Sequence, residues 1–169
     1  DLFEKCRLMR NHGMAEQYLH HYIGGNFRMD AIQAAALRVK LRTIEEVTET
    51  RRQNAQLYRD LFAEAELLEW ADLPADMDRH AYHQFVMHVP QDQRDSAITH
   101  LRQQGIGCAV YYPVPFHRQP CFQYLGYDSK DFPVSETASL TAIALPIFQG
   151  LAQAEQIDVV GALAKFVKQ

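Results

Sequence analysis

The sequence predicts an α+β fold, in which a long helix is followed by a small antiparallel sheet with helices on one face. Three observations lead to this prediction. Apolar residues recur every three or four positions between residues 30 and 65, short apolar runs follow Pro74, and further helical periods separate these runs. The sequence contains no internal repeat or low-complexity tract.

The chain opens with a helical pattern from Asp1 to Asn11, and Gly13 is a plausible stop for this helix. Residues 14–29 are rich in aromatic residues and histidine and lack a clean period, so we expect a structured loop there.

The next helical pattern runs from Asp30 to about Ala65. Asp30 and Gln33 have the spacing of a capping box, which favours a helix start at this point. The pattern is longer than a typical globular helix, so we expect a kink or a bridging role between two domains.

The remaining elements are shorter and alternate between strand and helix. We predict a strand over Tyr82–Val89, a helix over Asp92–Gln104, a strand over Gly107–Tyr112, a helix whose first turn contains Pro133, a strand over Ile143–Leu145 and a final helix over Gln153–Val167.

Composition limits the class of function. A net charge of -4 and a pI near 6.0 argue against nucleic-acid binding, which needs a basic surface. No apolar run approaches membrane-spanning length, so we expect no membrane partner. Cys6, Cys108 and Cys121 lack metal-type spacing, which indicates reduced thiols and a cytoplasmic protein.

The segment around Asn26 and Arg28 is the first candidate site. It follows the glycine pair Gly24–Gly25 and precedes the helix start at Asp30, so an amide and a guanidinium are held on an anchored loop. Arginine is well suited to binding phosphate or carboxylate. The alternative is a glycine-rich turn with a surface arginine.

The second candidate site lies between Tyr111 and Pro120. Prolines stiffen this segment, and aromatic, imidazole and guanidinium groups cluster in it, which suits a ligand-binding surface. Tyr111 and His117 are candidates for ligand contact. For Tyr112 and Phe116 the alternative is that their rings fill the core.

No metal site or catalytic group is expected from the pattern. His80, His83 and His88 would share one strand, where odd spacings place side chains on opposite faces. Cys108 is interpreted as a small core residue rather than a nucleophile. No lysine lies in an evident pocket for Schiff-base chemistry.

Taken in order, the motifs resemble the C-terminal part of the DegT/StrS-type nucleotide-sugar aminotransferases, which are pyridoxal-phosphate enzymes of fold type I. The resemblance covers nearly the whole chain. Its motifs are Arg10-Asn11-His12-Gly13, Gly24-x-Asn26-x-Arg28-Met29, Ile32-Gln33-Ala34-Ala35, Tyr112-Pro113-x-Pro115-x-His117-x-Gln119-Pro120, Leu125-Gly126-Tyr127, Phe132-Pro133-x-Ser135-Glu136 and Leu145-Pro146-Ile147-Phe148.

This resemblance implies a homodimer that transfers an amino group, usually from glutamate, to a keto-sugar on a nucleoside diphosphate. It implies that Asn26 reaches the pyridoxal-phosphate phosphate of the neighbouring subunit and that Arg28 lies near the nucleotide-sugar. Tyr111, Tyr112 and His117 would line the sugar side. Gly25 stands where an aromatic residue is usual in the family.

By the same resemblance, residues 1–29 are a remnant of the large cofactor domain, residues 30–66 a connecting helix and residues 67–169 the small C-terminal α+β domain. The family's cofactor lysine precedes the segment where this chain starts. We therefore expect the chain to hold no cofactor covalently and to be inactive alone.

Two alternatives remain open. One is a non-catalytic ligand-binding or dimerisation module derived from the family, and the other is part of a pyridoxal-phosphate-dependent sugar dehydratase. By the resemblance, the start of the chain would normally pack on the large domain. Without that domain, apolar residues such as Leu2, Leu8, Tyr18 and Tyr22 lead us to expect self-association through residues 1–41.

Overall fold

A computed structural model describes residues 1–77 and 79–168. The chain divides into two compact units, which we call the N-terminal unit (Asp1–Ile44) and the C-terminal unit (Glu45–Gln169). The N-terminal unit contains α1 (Leu2–Arg10), β1 (Met14–Glu16), β2 (Leu19–His20), α2 (Ala31–Lys40) and a 3-10 turn (Leu41–Thr43).

Helix α3 begins at the last residue of the N-terminal unit and extends through Ile44–Glu64. The C-terminal unit continues with β3 (Phe85–His88), α4 (Gln91–Gln103), two 3-10 turns (Phe116–Arg118 and Pro120–Leu125), α5 (Pro133–Thr141), β4 (Ala142–Leu145) and α6 (Gln153–Val167). This mixture of helices with small antiparallel sheets confirms the predicted α+β class.

Local sequence accounts for the ends of the N-terminal helices. The Asp1 carboxylate accepts a hydrogen bond from the Phe3 amide at the start of α1, and the Asp30 carboxylate accepts one from the Ile32 amide at the start of α2. Gly13 adopts φ 72° just beyond α1, a conformation that glycine reaches without strain. The predicted boundaries of α1 and the start of α2 are confirmed.

One prediction for residues 14–65 needs correction. The predicted loop at 14–29 contains the short antiparallel pair β1–β2, because Tyr18 adopts φ 66° and reverses the chain between the strands. The helical pattern predicted from Asp30 is present, and the 3-10 turn at Leu41–Thr43 breaks it before α3 begins, in agreement with the irregularity expected from its length.

Hydrophobic side chains of the N-terminal unit do not form a core of their own. Within this unit Gly13 is the one residue that is buried, and it has no side chain. Tyr18 is 83% exposed and Ile23 is 98% exposed. Because apolar burial is the main favourable term in folding, this unit needs another surface to bury its apolar groups.

The C-terminal unit, in contrast, has a well-packed core. Each of its regular elements except α5 contributes at least one large side chain that is fully or almost fully buried: Tyr58 and Phe62 from α3, Phe85 and Met87 from β3, Leu101 from α4, Ile143 from β4 and Leu163 from α6.

The sheet of this unit is smaller than the sequence suggests. β3 pairs antiparallel with β4, with Phe85 opposite Leu145 and His88 opposite Ala142. The strand predicted over Gly107–Tyr112 is wrong: only Ala109 forms an isolated bridge, to Ala144. The chain leaves the extended conformation at Tyr112, whose φ of 58° is incompatible with a strand.

Polar side chains on α3 attach this helix to the loops around the sheet. Asn54 Nδ2 donates to the Phe148 carbonyl at 2.9 Å and Tyr58 Oη donates to the Pro146 carbonyl at 3.0 Å. Gln156, fully buried on α6, donates from Nε2 to the Asn54 carbonyl at 2.8 Å. Helix α3 thereby holds both the segment after β4 and helix α6.

We predict that Asn54→Ala lowers the free energy of unfolding by about 1 kcal/mol, the net contribution of one hydrogen bond, because the Phe148 carbonyl loses the Asn54 donor and keeps only its bond from the Leu151 amide. Urea denaturation followed by far-ultraviolet circular dichroism measures this change. The control is Gln53→Ala, on the exposed face of the same helix turn, which should change it by less than about 0.5 kcal/mol. Equal effects of the two substitutions would contradict the role assigned to Asn54.

Candidate functional site

The loop at residues 24–28, which we call the donor loop, lies against the end of α1. The His12 amide donates to the Gly25 carbonyl at 2.9 Å, and the Gly25 amide donates to the Met9 carbonyl at 3.0 Å. Asn11 and Asn26 form an antiparallel bridge in the same pairing. The loop is therefore anchored through its backbone, which leaves its side chains available.

Glycine at position 24 is required by this close pairing. A Cβ atom at Gly24 would lie 2.6 Å from the Gly13 amide nitrogen, closer than two such atoms approach in proteins. The glycine pair noted in the sequence thus allows two stretches of backbone to meet.

Arg28 is held from two sides by amide oxygens. Its Nε donates to Asn26 Oδ1 at 2.9 Å, and its Nη1 donates to Asn11 Oδ1 at 2.7 Å. The structure therefore brings the two predicted residues, Asn26 and Arg28, into one hydrogen-bonded group. Asn11 completes this group but was not among the predicted site residues, although it belongs to the Arg10-Asn11-His12-Gly13 motif.

This group has the chemistry of an anion site. Asn26 and Arg28 are both exposed. With its oxygen turned to Arg28, Asn26 has an Nδ2 amino group free to face an anion, and the guanidinium has further N–H donors beyond the two in use. Donors of this kind, with one positive charge, fit a phosphate group.

Tyr111 and Tyr112 belong to a second candidate site, in the C-terminal unit. Tyr112 is exposed and adopts φ 58° immediately before Pro113, an uncommon conformation for a residue with a side chain. Both tyrosines line a cavity of about 680 Å³, together with Phe116 and with Ser139 of α5. Neither ring fills the core. The alternative interpretation, in which the Tyr112 ring is a core residue, is therefore wrong.

His117 is bonded within the protein. Its Nε2 lies 2.9 Å from Glu136 Oε1, and its side chain is 7% exposed. Phe116, in contrast, is exposed and packs edge-on against Phe122. The assignment of His117 to the sugar side stays a prediction.

Two of the three histidines considered for a metal site form separate hydrogen bonds. His80 Nδ1 accepts from the Tyr82 amide, and His88 Nδ1 pairs with Thr141 Oγ1. Across residues 1–77 and 79–168, no group of three or more histidine, cysteine or acidic side chains is arranged to hold a metal ion.

No lysine lies in a shielded pocket. All lysines of the chain are exposed: Lys5, Lys40, Lys130, Lys165 and Lys168. Among the helices that the structure describes, none combines the length and the apolar character needed to cross a bilayer.

Residues 1–164 match the DegT/DnrJ/EryC1/StrS aminotransferase family. The chain belongs to this family. The resemblance stated from the sequence motifs is thereby confirmed, and the aminotransferases of the family depend on pyridoxal phosphate.

Two curated relatives illustrate the range of the family. The chain is 39% identical over 170 residues to the pleiotropic regulatory protein of Geobacillus stearothermophilus, covering 99% of this chain and 45% of the relative. It is 33% identical over 157 residues to UDP-N-acetyl-3-dehydro-α-D-glucosamine 3-aminotransferase of Acidithiobacillus ferrooxidans, covering 93% of this chain and 41% of the relative. The chain thus spans less than half the length of these relatives.

Solved structures of the family show the same fold. The crystal structure of DesV from S. venezuelae, in complex with a ketimine intermediate, superimposes with a TM-score of 0.87 at 28% identity. The match covers 99% of this chain and 44% of DesV, in keeping with a C-terminal portion of the DegT fold.

We predict that Cys108 reacts with iodoacetamide at pH 8 several-fold more slowly than Cys6 and Cys121. Burial raises the pKa of the Cys108 thiol, although Arg102 acts in the opposite direction, so less of the reactive thiolate is present. Cys6 and Cys121 are exposed. Peptide mass spectrometry of the labelled chain measures the three rates, and faster labelling of Cys108 would contradict its interpretation as a packing residue.

Proposed function

We propose that this chain is the C-terminal portion of a pyridoxal-phosphate-dependent aminotransferase that acts on a nucleotide-linked keto-sugar in amino-sugar biosynthesis, in the cytoplasm. The family match and the aminotransferase activity for which the Acidithiobacillus relative is named support the reaction class and the substrate class. The observation that carries the proposal is the donor group of Asn26 and Arg28, which suits the phosphates of both cofactor and nucleotide.

In this proposal Asn26 donates from Nδ2 to the phosphate of pyridoxal phosphate in a neighbouring subunit. Arg28, held by Asn11 and Asn26, presents its remaining N–H donors to the diphosphate of the nucleotide-sugar. Tyr111 and Tyr112 bind the sugar side through the cavity that they line. Each of these roles is binding or orientation rather than proton transfer.

When bound, the cofactor supplies the electron sink that amino-group transfer needs. It is held covalently by a lysine in enzymes of this kind, and a reactive lysine needs a low-dielectric pocket or a nearby positive charge. Every lysine of this chain is exposed. We therefore propose that the chain contributes binding groups and that the lysine is supplied by another polypeptide segment.

We predict that Arg28→Ala raises the KM for the nucleotide-sugar by tenfold or more, about the loss expected for hydrogen bonds to a charged group. The assay uses the product of the whole reading frame that contains this sequence, with glutamate as amino donor and UDP- and dTDP-linked keto-sugars as acceptors. The KM for glutamate should change little. Arg42→Ala, an exposed arginine in the same unit, is the control.

The in-trans role of Asn26 is tested in the same enzyme by mixing subunits. An Asn26→Ala subunit and a subunit without the cofactor lysine should each be inactive, and their mixture should regain part of the activity. No recovery would contradict the in-trans role.

The 169-residue chain by itself should neither transaminate nor retain the cofactor after borohydride reduction. A reduced adduct between the cofactor and a lysine of this chain would overturn the proposal that the lysine is supplied by another polypeptide segment.

We also predict that the purified chain forms a dimer or larger assembly through residues 1–41. Apolar side chains of the N-terminal unit are exposed, with Leu2 and Tyr18 the clearest examples, whereas Leu8 is half-buried. Light scattering over a concentration series measures the mass. A Leu2→Glu, Tyr18→Glu double variant should shift the chain towards monomer, and a wild-type monomer at high concentration would contradict the prediction.

A further inference from the structure

The cavity at the second candidate site has walls from two different parts of the C-terminal unit. One wall is the segment at residues 111–119, which we call the tyrosine loop because it begins with Tyr111 and Tyr112. Another wall is α5, which contributes Ser135 and Ser139. The position of the tyrosine rings in the cavity therefore depends on what holds this loop to α5.

A hydrogen bond joins these two walls. His117 in the tyrosine loop and Glu136 in the first turn of α5 approach to 2.9 Å, and Arg118 donates to the same oxygen of Glu136 at 3.3 Å. A carboxylate can only accept, so His117 carries its proton on Nε2 and donates. The side chain of Glu136 is 21% exposed, which protects the bond from competition by water.

The imidazole of His117 also packs against an aromatic ring. Its centroid lies 4.8 Å from that of Phe132, which packs edge-on against Tyr127. With Nε2 on Glu136 and the ring packed against Phe132, His117 is placed to fix the loop.

The backbone of the tyrosine loop is restricted, so the attachment at His117 also limits the positions of Tyr111 and Tyr112. Gln119 Nε2 donates to the Val114 carbonyl at 3.1 Å, and the Gln119 amide donates to the Phe116 carbonyl at 3.0 Å. Two prolines restrict the backbone between Tyr112 and Phe116. A positive φ at Tyr112 costs free energy and persists only where the surroundings enforce it.

We propose that Glu136 and His117 are positioning residues, forming a clasp that fixes the tyrosine loop to α5. In this proposal His117 acts on a ligand through Tyr111 and Tyr112, in place of the direct sugar contact that the family resemblance implies. This inference rests on the proposed function for the meaning of the cavity, and the clasp itself can be tested without any ligand.

The test uses the 169-residue chain labelled with 3-fluorotyrosine, in which fluorine resonances are assigned by single Tyr→Phe variants. His117→Ala should shift or broaden the resonances of Tyr111 and Tyr112 and leave those of the buried Tyr58 and Tyr82 unchanged. His117→Gln should restore them, since its amide can donate to Glu136. His21→Ala, which removes an exposed histidine of the N-terminal unit, is the control.

Combining substitutions separates the clasp from direct ligand contact or general destabilisation. If His117 acts through Glu136, then Glu136→Ala, which also removes the bond from Arg118, should perturb the same two resonances at least as strongly as His117→Ala, and the double variant should match Glu136→Ala. Unchanged Tyr111 and Tyr112 resonances in His117→Ala would overturn the clasp. A simultaneous shift of Tyr58 would overturn it as well, because the role would then be structural for the whole unit.

Limited trypsin digestion gives an independent readout of the loop. Cleavage after Arg118 should accelerate about tenfold in His117→Ala, the size expected when one hydrogen bond to a charged group is lost. Cleavage after Arg102 at the end of α4 should keep its wild-type rate. If the clasp is intact but the enzyme has no transaminase activity, the proposed function is overturned and the clasp stands. If the enzyme is an active transaminase but the clasp is missing, this inference is overturned and the proposed function stands.

Discussion

The C-terminal unit depends on hydrogen bonds from α3 to the backbone that follows β4. Tyr58, Arg51 and Asn54 donate in turn to three successive carbonyls, those of residues 146, 147 and 148. Arg51 also donates to the Tyr82 carbonyl at 2.8 Å. These donors satisfy carbonyls that no strand partner reaches, at a net gain of about 1 kcal/mol each. They also fix where the sheet ends, and hence where the cavity wall formed by β3 and β4 begins.

Much of the fold was predictable because its determinants are local. Helix α6 occupies the predicted range Gln153–Val167, and α5 begins at Pro133 as its fixed φ favours. The buried face of α6 was less predictable. Ile157 is exposed, whereas Gln156 is fully buried because its amide has a partner on α3. Periodicity of apolar residues cannot detect a polar residue that is buried with its partner.

In the candidate sites, too, the local features were predictable from the sequence and the long-range contacts were not. The glycine pair and the capping aspartate located Asn26 and Arg28 correctly as neighbours on an anchored loop. The bond from Arg28 to Asn11 crosses 17 positions of sequence, and the bond from His117 to Glu136 crosses 19. Neither separation follows a helical or strand period, so only the tertiary fold reveals them. Likewise Tyr112 ends the extended segment through a backbone conformation that its residue type does not favour.

The way Arg28 is held has a consequence for assembly. Its two partners, Asn11 and Asn26, belong to the same unit and are joined to each other through the backbone. The guanidinium is therefore preorganised, because the side chain of Arg28 loses its conformational entropy during folding rather than during association. An anionic surface that meets this unit finds the donors in place, so more of the interaction energy remains as affinity. A long exposed arginine without such partners would have to be immobilised anew at each encounter.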